Sequence, residues 1–200
     1  MSQPQQSARK FAASFAVISL VVFGASGCAT AQPTTSPSAT ATPTPTQTPL
    51  TDAQALAAFK SIAEASVLKA DKTGLTETTA NSKYGDYVLV LDRAYNPDYQ
   101  AAVHNADGTY ELIYESDAFA PAAAVSAIGL GATVSLKNGV WVLTEMIEGT
   151  PTEYGYTVVD GLIASESGAS GGSSWTSTLV YSVNADGHKI LDEALKTLNK

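Results

Sequence analysis

The sequence predicts a single α+β domain: an N-terminal helix, a curved antiparallel β-sheet of about seven to nine strands with helices packed on one face, and a C-terminal helix. Three observations support this prediction. A capping box followed by apolar residues at helical spacing opens the domain, alternating segments separated by Asx-Gly turns fill its middle, and an amphipathic segment closes it.

The first predicted helix begins after Thr51, which is followed three residues later by Gln54, the pattern of a capping box. Gly74 is expected to end this helix, because glycine adopts the positive φ of a helix C-terminus without strain. Between these signals the apolar residues recur at helical spacing, at Leu56, Phe59, Ile62, Ala63 and Val67.

After Gly74 the pattern changes to the two-residue period of β-strands. Asn138-Gly139 and Asp160-Gly161 favour two-residue turns whose twist matches antiparallel strands. The segment Tyr87–Leu91 is apolar on both faces, so we expect both sides of that strand to be covered. The predicted strands are Tyr84–Leu91, Tyr99–His104, Tyr110–Tyr114, Thr133–Lys137, Val140–Thr144, Tyr156–Val159, Leu162–Ser165 and Trp175–Val183.

Three further segments complete the domain. Ala118–Ala132 is rich in alanine, with Pro121 near its start, and predicts a short apolar helix. Gly168–Ser174 contains mostly glycine and serine and predicts a mobile loop. Gly187–Leu198 places its apolar residues on one helical face and predicts the closing helix.

The N-terminus predicts export and lipidation. Arg9 and Lys10 precede an apolar stretch, Phe11–Phe23, of about 13 residues, which is shorter than the roughly 20 needed to span a membrane. Small residues then lead into Cys28, the only cysteine, in the lipobox pattern Ala25-Ser26-Gly27-Cys28. We therefore expect residues 1–27 to be a removed signal peptide. Lipid on Cys28 would hold the chain at the outer face of the cell membrane.

Residues 28–49 form the lipidated cysteine and a tether. Residues 29–49 are only Ala, Thr, Pro, Ser and Gln, so the segment has neither charge nor core-forming side chains. Fully extended, it would reach about 65 Å from the membrane at roughly 3.1 Å per residue. Residues 50–200 have the size of one domain.

Charge and cysteine content narrow the possible partners. The net charge of −8 becomes −10 once the signal peptide with Arg9 and Lys10 is removed. An acidic chain lacks the basic patch that nucleic acid requires, so we expect no nucleic-acid partner. One cysteine permits no intramolecular disulfide, and the fold must rest on packing.

One motif formally suggests catalysis. Residues 168–172 match the Gly-x-Ser-x-Gly nucleophile elbow, with Ser170 as the nucleophile. That motif works at a strand-to-helix turn of a mostly parallel sheet, and no helix is predicted after Ser170. We therefore predict no catalytic residue, no cofactor and no enzymatic activity.

The sequence also gives no metal-binding pattern. His104 and His188 are far apart and have no histidine or cysteine neighbours, whereas zinc requires three or four ligands around one point. The acids Glu111, Glu115 and Asp117 could hold a cation, but a solvated strand face explains them better. We predict no metal site.

The apolar content of the long strands is more informative. A sheet covered by helices either has a filled core or leaves a cavity for an apolar ligand. The periodicity of apolar residues along the strands does not distinguish these two outcomes. If a cavity exists, its walls should be aliphatic side chains on long strands. The candidates are Leu89, Leu91, Val134, Leu136, Val142 and Leu179.

The lipobox, the Thr/Pro tether, the N-terminal helix, the Asx-Gly hairpins and the Ala-rich interruption together resemble actinobacterial cell-envelope lipoproteins. From residue 51 to 200 the order of elements resembles the LolA/LppX-type lipid carriers. The resemblance implies a curved sheet around an acyl-chain cavity, and binding or transfer of a lipid or lipoglycan. The alternative is a non-catalytic envelope protein with a filled core that binds a protein or a cell-wall polymer.

Overall fold

The computed structural model describes residues 50–96, 101–113 and 119–197. Within these ranges it contains three helices, α1 (Asp52–Thr73), α2 (Ala120–Gly129) and α3 (Ala185–Thr197). The strands are β1 (Leu75–Asn81), β2 (Tyr87–Leu91), β3 (Ala101–His104), β4 (Tyr110–Ile113), β5 (Thr133–Lys137), β6 (Val140–Ile147), β7 (Thr150–Val159), β8 (Leu162–Ser170) and β9 (Ser173–Val180). The predicted α+β class is confirmed. The predicted signal peptide, Cys28 and the tether lie outside the described residues.

Helix α1 begins and ends where its sequence signals predict. The Thr51 hydroxyl accepts a hydrogen bond from the Gln54 N–H, and the Gln54 side chain accepts one from the Thr51 N–H. The helix ends at Gly74, whose φ is 76°. No helix in the described part of the chain is both long enough and apolar enough to cross a membrane.

All nine strands form one open antiparallel sheet in the order β4-β3-β2-β1-β9-β8-β7-β6-β5. Two meanders, β1 to β4 and β5 to β9, therefore meet at the central pairing of β1 with β9. The predicted turns are confirmed, because Asn138-Gly139 and Asp160-Gly161 have positive φ at both residues. Glu148-Gly149 forms a third turn of this kind between β6 and β7.

One strand was not predicted, and one segment was assigned wrongly. Strand β1 was not predicted, although it lies at the centre of the sheet. The predicted mobile loop, Gly168–Ser174, is instead the end of β8, a tight turn and the start of β9. Gly171 and Gly172 provide the turn at positive φ, and Ser170 pairs with Ser173. Here glycine serves the geometry of a hairpin and does not indicate a loop.

The sheet has an inner face, covered by α1 and α2, and an outer face, on which α3 packs. Leu89 and Leu91 belong to the inner core, whereas Val90, between them, packs with Leu191 of α3 on the outer face. Both sides of β2 are therefore covered, as the apolar run in Tyr87–Leu91 predicts. The sequence placed the helices on one face, but α3 covers the opposite face over β2, β3 and β4.

Candidate ligand-binding face of the sheet

Five of the six predicted cavity residues lie on the inner face. Four of these side chains are buried: Leu89, Leu91, Val134 and Leu179. Leu136 lies on the same face but on the edge strand β5, and 43% of it is exposed.

Val142 is the exception among the six candidates. It pairs with Ser135 and Gly155, so it alternates with the inward-facing Trp141 and Leu143. Val142 therefore faces outward, and its assignment to the same cavity wall was wrong. The physical reason is the two-residue period of the strand, which separates neighbouring residues onto opposite faces.

One half of the inner face is closed by α1. Phe59 is fully buried, and its ring centroid lies 5.6 Å from that of Trp141 and 5.0 Å from that of Tyr156. Ser66 fixes the helix to β8, because its hydroxyl accepts a hydrogen bond from the Ile163 N–H at 2.9 Å. This half of the face is aromatic and aliphatic.

The centre of the inner face, on β1, β9 and β8, carries buried polar side chains, which we call the polar stripe: Glu77, Thr79, Glu166 and Ser177. Glu77 and Thr79 point inward from β1, whereas Ser177 comes from β9 and Glu166 from β8. The hydroxyls of Thr79 and Ser177 lie 2.8 Å apart and share a hydrogen bond. The centre of the sheet is thus polar on its buried side.

Glu77 also orients α2. Phe119, at the N-cap of that helix, provides no side-chain hydrogen bond, and the Ala120 N–H instead donates to the Glu77 carboxylate at 2.9 Å. A negative charge at a helix N-terminus is stabilising, because the unpaired N–H groups and the helix dipole both favour it. The carboxylate therefore joins the strand to the helix above it.

Aromatic residues surround Glu166. The Trp175 indole N–H donates to Glu166 Oε1 at 3.3 Å, and the Tyr154 ring lies 5.9 Å from the Trp175 ring. The Tyr154 hydroxyl donates to Glu145 at 2.7 Å. Burial raises the pKa of Tyr156 well above its ordinary value, and the nearby Glu166 charge raises it further, so this phenol stays neutral.

Sequence reasoning missed the polar stripe because its positions carry no apolar signal. The inward positions of β1 are Leu75, Glu77, Thr79 and Asn81, so alternation within this strand suggests no buried face. The signal that could have revealed β1 lies elsewhere. Helix α1 stops at Gly74, and the apolar run of β2 requires a partner strand.

In the described part of the chain, neither a following helix nor His188 is placed to make Ser170 the nucleophile of the predicted motif. Ser170 lies at the hairpin between β8 and β9, and no helix follows it. His188 lies at the opposite end of the sheet, where its Nε2 is 3.0 Å from Asp92 Oδ2 and its ring stacks on Tyr95 at 4.4 Å. The nucleophile-elbow geometry is therefore absent from this turn.

The remaining candidates also have structural partners. His104 stacks on Tyr110 at 4.5 Å, and Glu111 accepts a hydrogen bond from Asn105 at 3.1 Å. Glu115 and Asp117 lie outside the described residues. Among the residues that are described, no three of the His, Cys, Asp and Glu side chains are grouped so that they could hold a metal ion.

Comparison of the chain with protein-family models and with curated proteins found no match.

Proposed function

We propose that this chain is an envelope lipoprotein, held at the outer face of the cell membrane by lipid on Cys28, whose domain binds a lipid or lipoglycan along the inner face of its sheet. The lipobox at residues 25–28 and the uncharged residues 29–49 support the anchoring. The composition of the inner face supports the ligand.

The inner face has an aliphatic part and a polar part, and this division is the observation that supports a lipid or lipoglycan as the ligand. Leu89, Leu91 and Leu179 supply aliphatic surface, and the polar stripe lies beside them, with Leu179 paired to Glu77 across the strands. An amphiphile has the same division, because its acyl chains require apolar contact and its head group requires hydrogen-bond partners.

A filled-core protein that binds a protein or a wall polymer is the second candidate, and one observation favours it. Phe59 is fully buried between Trp141 and Tyr156, so that part of the inner face is closed by aromatic packing. Small inward-facing residues let α1 approach the sheet closely at Ala55, Ala63 and Ala70. Ligand binding must then be confined to the half of the face nearer the polar stripe.

The variant Leu179→Trp distinguishes the lipid-binding function from the filled core. Leu179 is 6% exposed, so in a filled core the larger ring would overpack and destabilise the fold by about 1–3 kcal/mol. In a ligand site the ring would occupy the space of an acyl chain, and stability would be kept while bound lipid is lost. Leu136→Trp is the matched control, because the exposed edge position accepts a larger side chain in either case.

The measurement is native mass spectrometry of protein purified from bacteria, together with chemical denaturation of each variant. A stable Leu179→Trp protein without the lipid that the wild type carries supports the lipid-binding function. A wild type that never carries lipid, together with a destabilised Leu179→Trp, supports the filled core.

Cys28→Ala tests the anchoring separately. The thiol is the only one in the chain, so this variant should incorporate no palmitate analogue in metabolic labelling. Equal labelling of wild type and variant would contradict the lipoprotein proposal.

A further inference from the structure

We propose that one end of the sheet, which we call the turn end, contacts the surface of a lipid bilayer. The turn end consists of the β1–β2, β3–β4, β6–β7 and β8–β9 turns and the connection from α2 to β5. It carries four exposed side chains that prefer an apolar or interfacial environment: Tyr84, Leu130, Met146 and Ile147. The proposal rests on the proposed lipid anchor, which supplies the membrane.

Strand register brings these residues to the same end. Thr133, the first residue of β5, pairs with Thr144, and β6 continues three residues further to Ile147 at the Glu148-Gly149 turn. Leu130 lies three residues before Thr133, on the same side of that pairing. The apolar residues at the end of β6 and at the end of α2 therefore lie at the same end of the sheet.

The β1–β2 turn lies at this end as well. Asn81, the last residue of β1, pairs with Trp175 near the start of β9, and the Lys83 ammonium donates to the Gly171 carbonyl at 3.4 Å. The same ammonium lies 5.1 Å from the centroid of the Tyr84 ring. Tyrosine and lysine are side chains that favour the membrane–water interface, where an apolar body and a polar tip are both satisfied.

Exposure at this end is unusually high for large apolar side chains. Leu130, between Gly129 and Gly131, is 85% exposed, and Met146, near the end of β6, is 66% exposed. Neither side chain contributes to the two hydrophobic cores of the domain. Transfer of such side chains from water to an apolar phase is favourable, because it removes apolar surface from water.

The length of chain between the domain and Cys28 indicates that the partner of the turn end is the membrane. Residues 29–49 join α1 to the lipidated Cys28, and their extended length is about 65 Å. Anchoring within this distance of the bilayer gives the domain a high effective concentration at the membrane surface, so a shallow contact of a few side chains suffices. Glu148 follows Ile147 directly in the β6–β7 turn, and the whole chain is acidic, so the interaction should depend on apolar insertion and weaken with anionic headgroups.

Vesicle co-sedimentation tests the contact with residues 28–200 carrying Cys28→Ala, so that no acyl chain is attached. We expect binding to phosphatidylcholine vesicles that falls when phosphatidylglycerol is added, and Glu148→Lys should reverse that fall. Replacing Leu130, Met146 and Ile147 together by serine should lower the partition coefficient at least about tenfold. The matched control replaces Leu68, Val159 and Val180 by serine, because these are similarly exposed but lie outside the turn end.

Equal partition of the two triple variants, or no vesicle binding by the parent chain, would show that the proposal is wrong. Sedimentation velocity without vesicles gives a further check. A dimer that only the turn-end variant abolishes would assign the surface to a second copy and overturn the membrane contact. Native mass spectrometry of co-purified lipid reports on the inner face alone, so failure of one proposal is distinguishable from failure of the other.

Discussion

At the scale of single residues, Gly168 occupies a position where no side chain fits. It pairs with Trp175, and a Cβ at this position would overlap the Trp175 ring. Gly168→Ala should therefore displace the indole from Glu166 and destabilise the domain by about 1–3 kcal/mol.

Gly129→Ala is the matched control for this change. Gly129 ends α2 with open space around it, so alanine there should stabilise the helix by roughly 0.5–1 kcal/mol. Urea denaturation with tryptophan fluorescence measures both effects. Equal stability of the two variants would contradict the assigned contact between Gly168 and Trp175.

Asp92 gives a prediction for pH. Burial raises the pKa of this carboxyl, but hydrogen bonds with His188 and with the backbone N–H groups of Tyr95 and Ala94 outweigh that effect, so its pKa lies below the ordinary value of an aspartate. A lowered folded-state pKa contributes stability that is fully present above the unfolded value and is lost as pH falls through the folded value. The stability advantage of wild type over Asp92→Asn should therefore shrink below about pH 4.

Denaturation midpoints at pH 7, 4 and 3 measure this dependence. Asp160→Asn is the control, because Asp160 lies in an exposed turn where asparagine is equally compatible with positive φ. An advantage over Asp92→Asn that stays constant across the series would show that the Asp92 interactions do not favour the ionised form.

At the scale of elements, the three two-residue turns that begin with a residue other than glycine differ in how well their sequences suit them. Asn138 and Asp160 occupy positive φ with side chains that tolerate it, whereas Glu148 occupies a φ of 50° at a higher cost. Glu148→Asn should stabilise the β6–β7 hairpin by roughly 0.5–1 kcal/mol.

The reciprocal change, Asn138→Glu, should destabilise the β5–β6 hairpin by a similar amount. Thermal unfolding of the two variants beside wild type measures both shifts. Shifts of the same sign would mean that backbone conformation does not determine the stability of these turns.

The same elements show what the sequence could predict. Both Asx-Gly hairpins, the capping box and the covered strand β2 follow from local signals, because a turn or a cap depends on few residues. Strand β1 depends on its neighbours β2 and β9, and its inward Glu77 and Thr79 are satisfied by Ala120 and Ser177, which are distant in sequence. No local pattern contains that information.

The outward orientation of Val142 could have been predicted. A two-residue turn at Asn138-Gly139 pairs Lys137 with Val140, which places Val142 opposite Ser135 and not opposite Val134. The polar stripe, in contrast, requires the full strand order. A candidate site that several strands build together is therefore the part of this molecule that periodicity alone describes least well.

At the scale of the whole molecule, the domain should fold without the tether. Residues 29–49 contain no apolar side chain larger than that of proline, so they can bury little surface. A chain that begins at Leu50 should unfold at the same temperature as one that begins at Ala29. A chain that begins at Ser61 lacks the fully buried Phe59 and should lose at least about 3 kcal/mol.

Differential scanning calorimetry of the three chains measures these midpoints. A drop of several degrees on removal of residues 29–49 would show that the tether packs against the domain.

The pairing of β1 with β9 has a consequence for the order of folding. Thr79 and Ser177, which face each other across this pairing, are 98 residues apart in the chain. Hairpins such as β5–β6 close over two residues and can form early, whereas the central pairing must wait until the last strand has been synthesised. Until then β1 presents an unpaired edge in the middle of the future sheet, where another chain could add a strand. A chaperone that shields an exposed strand edge would therefore act on this protein chiefly through Leu75–Asn81.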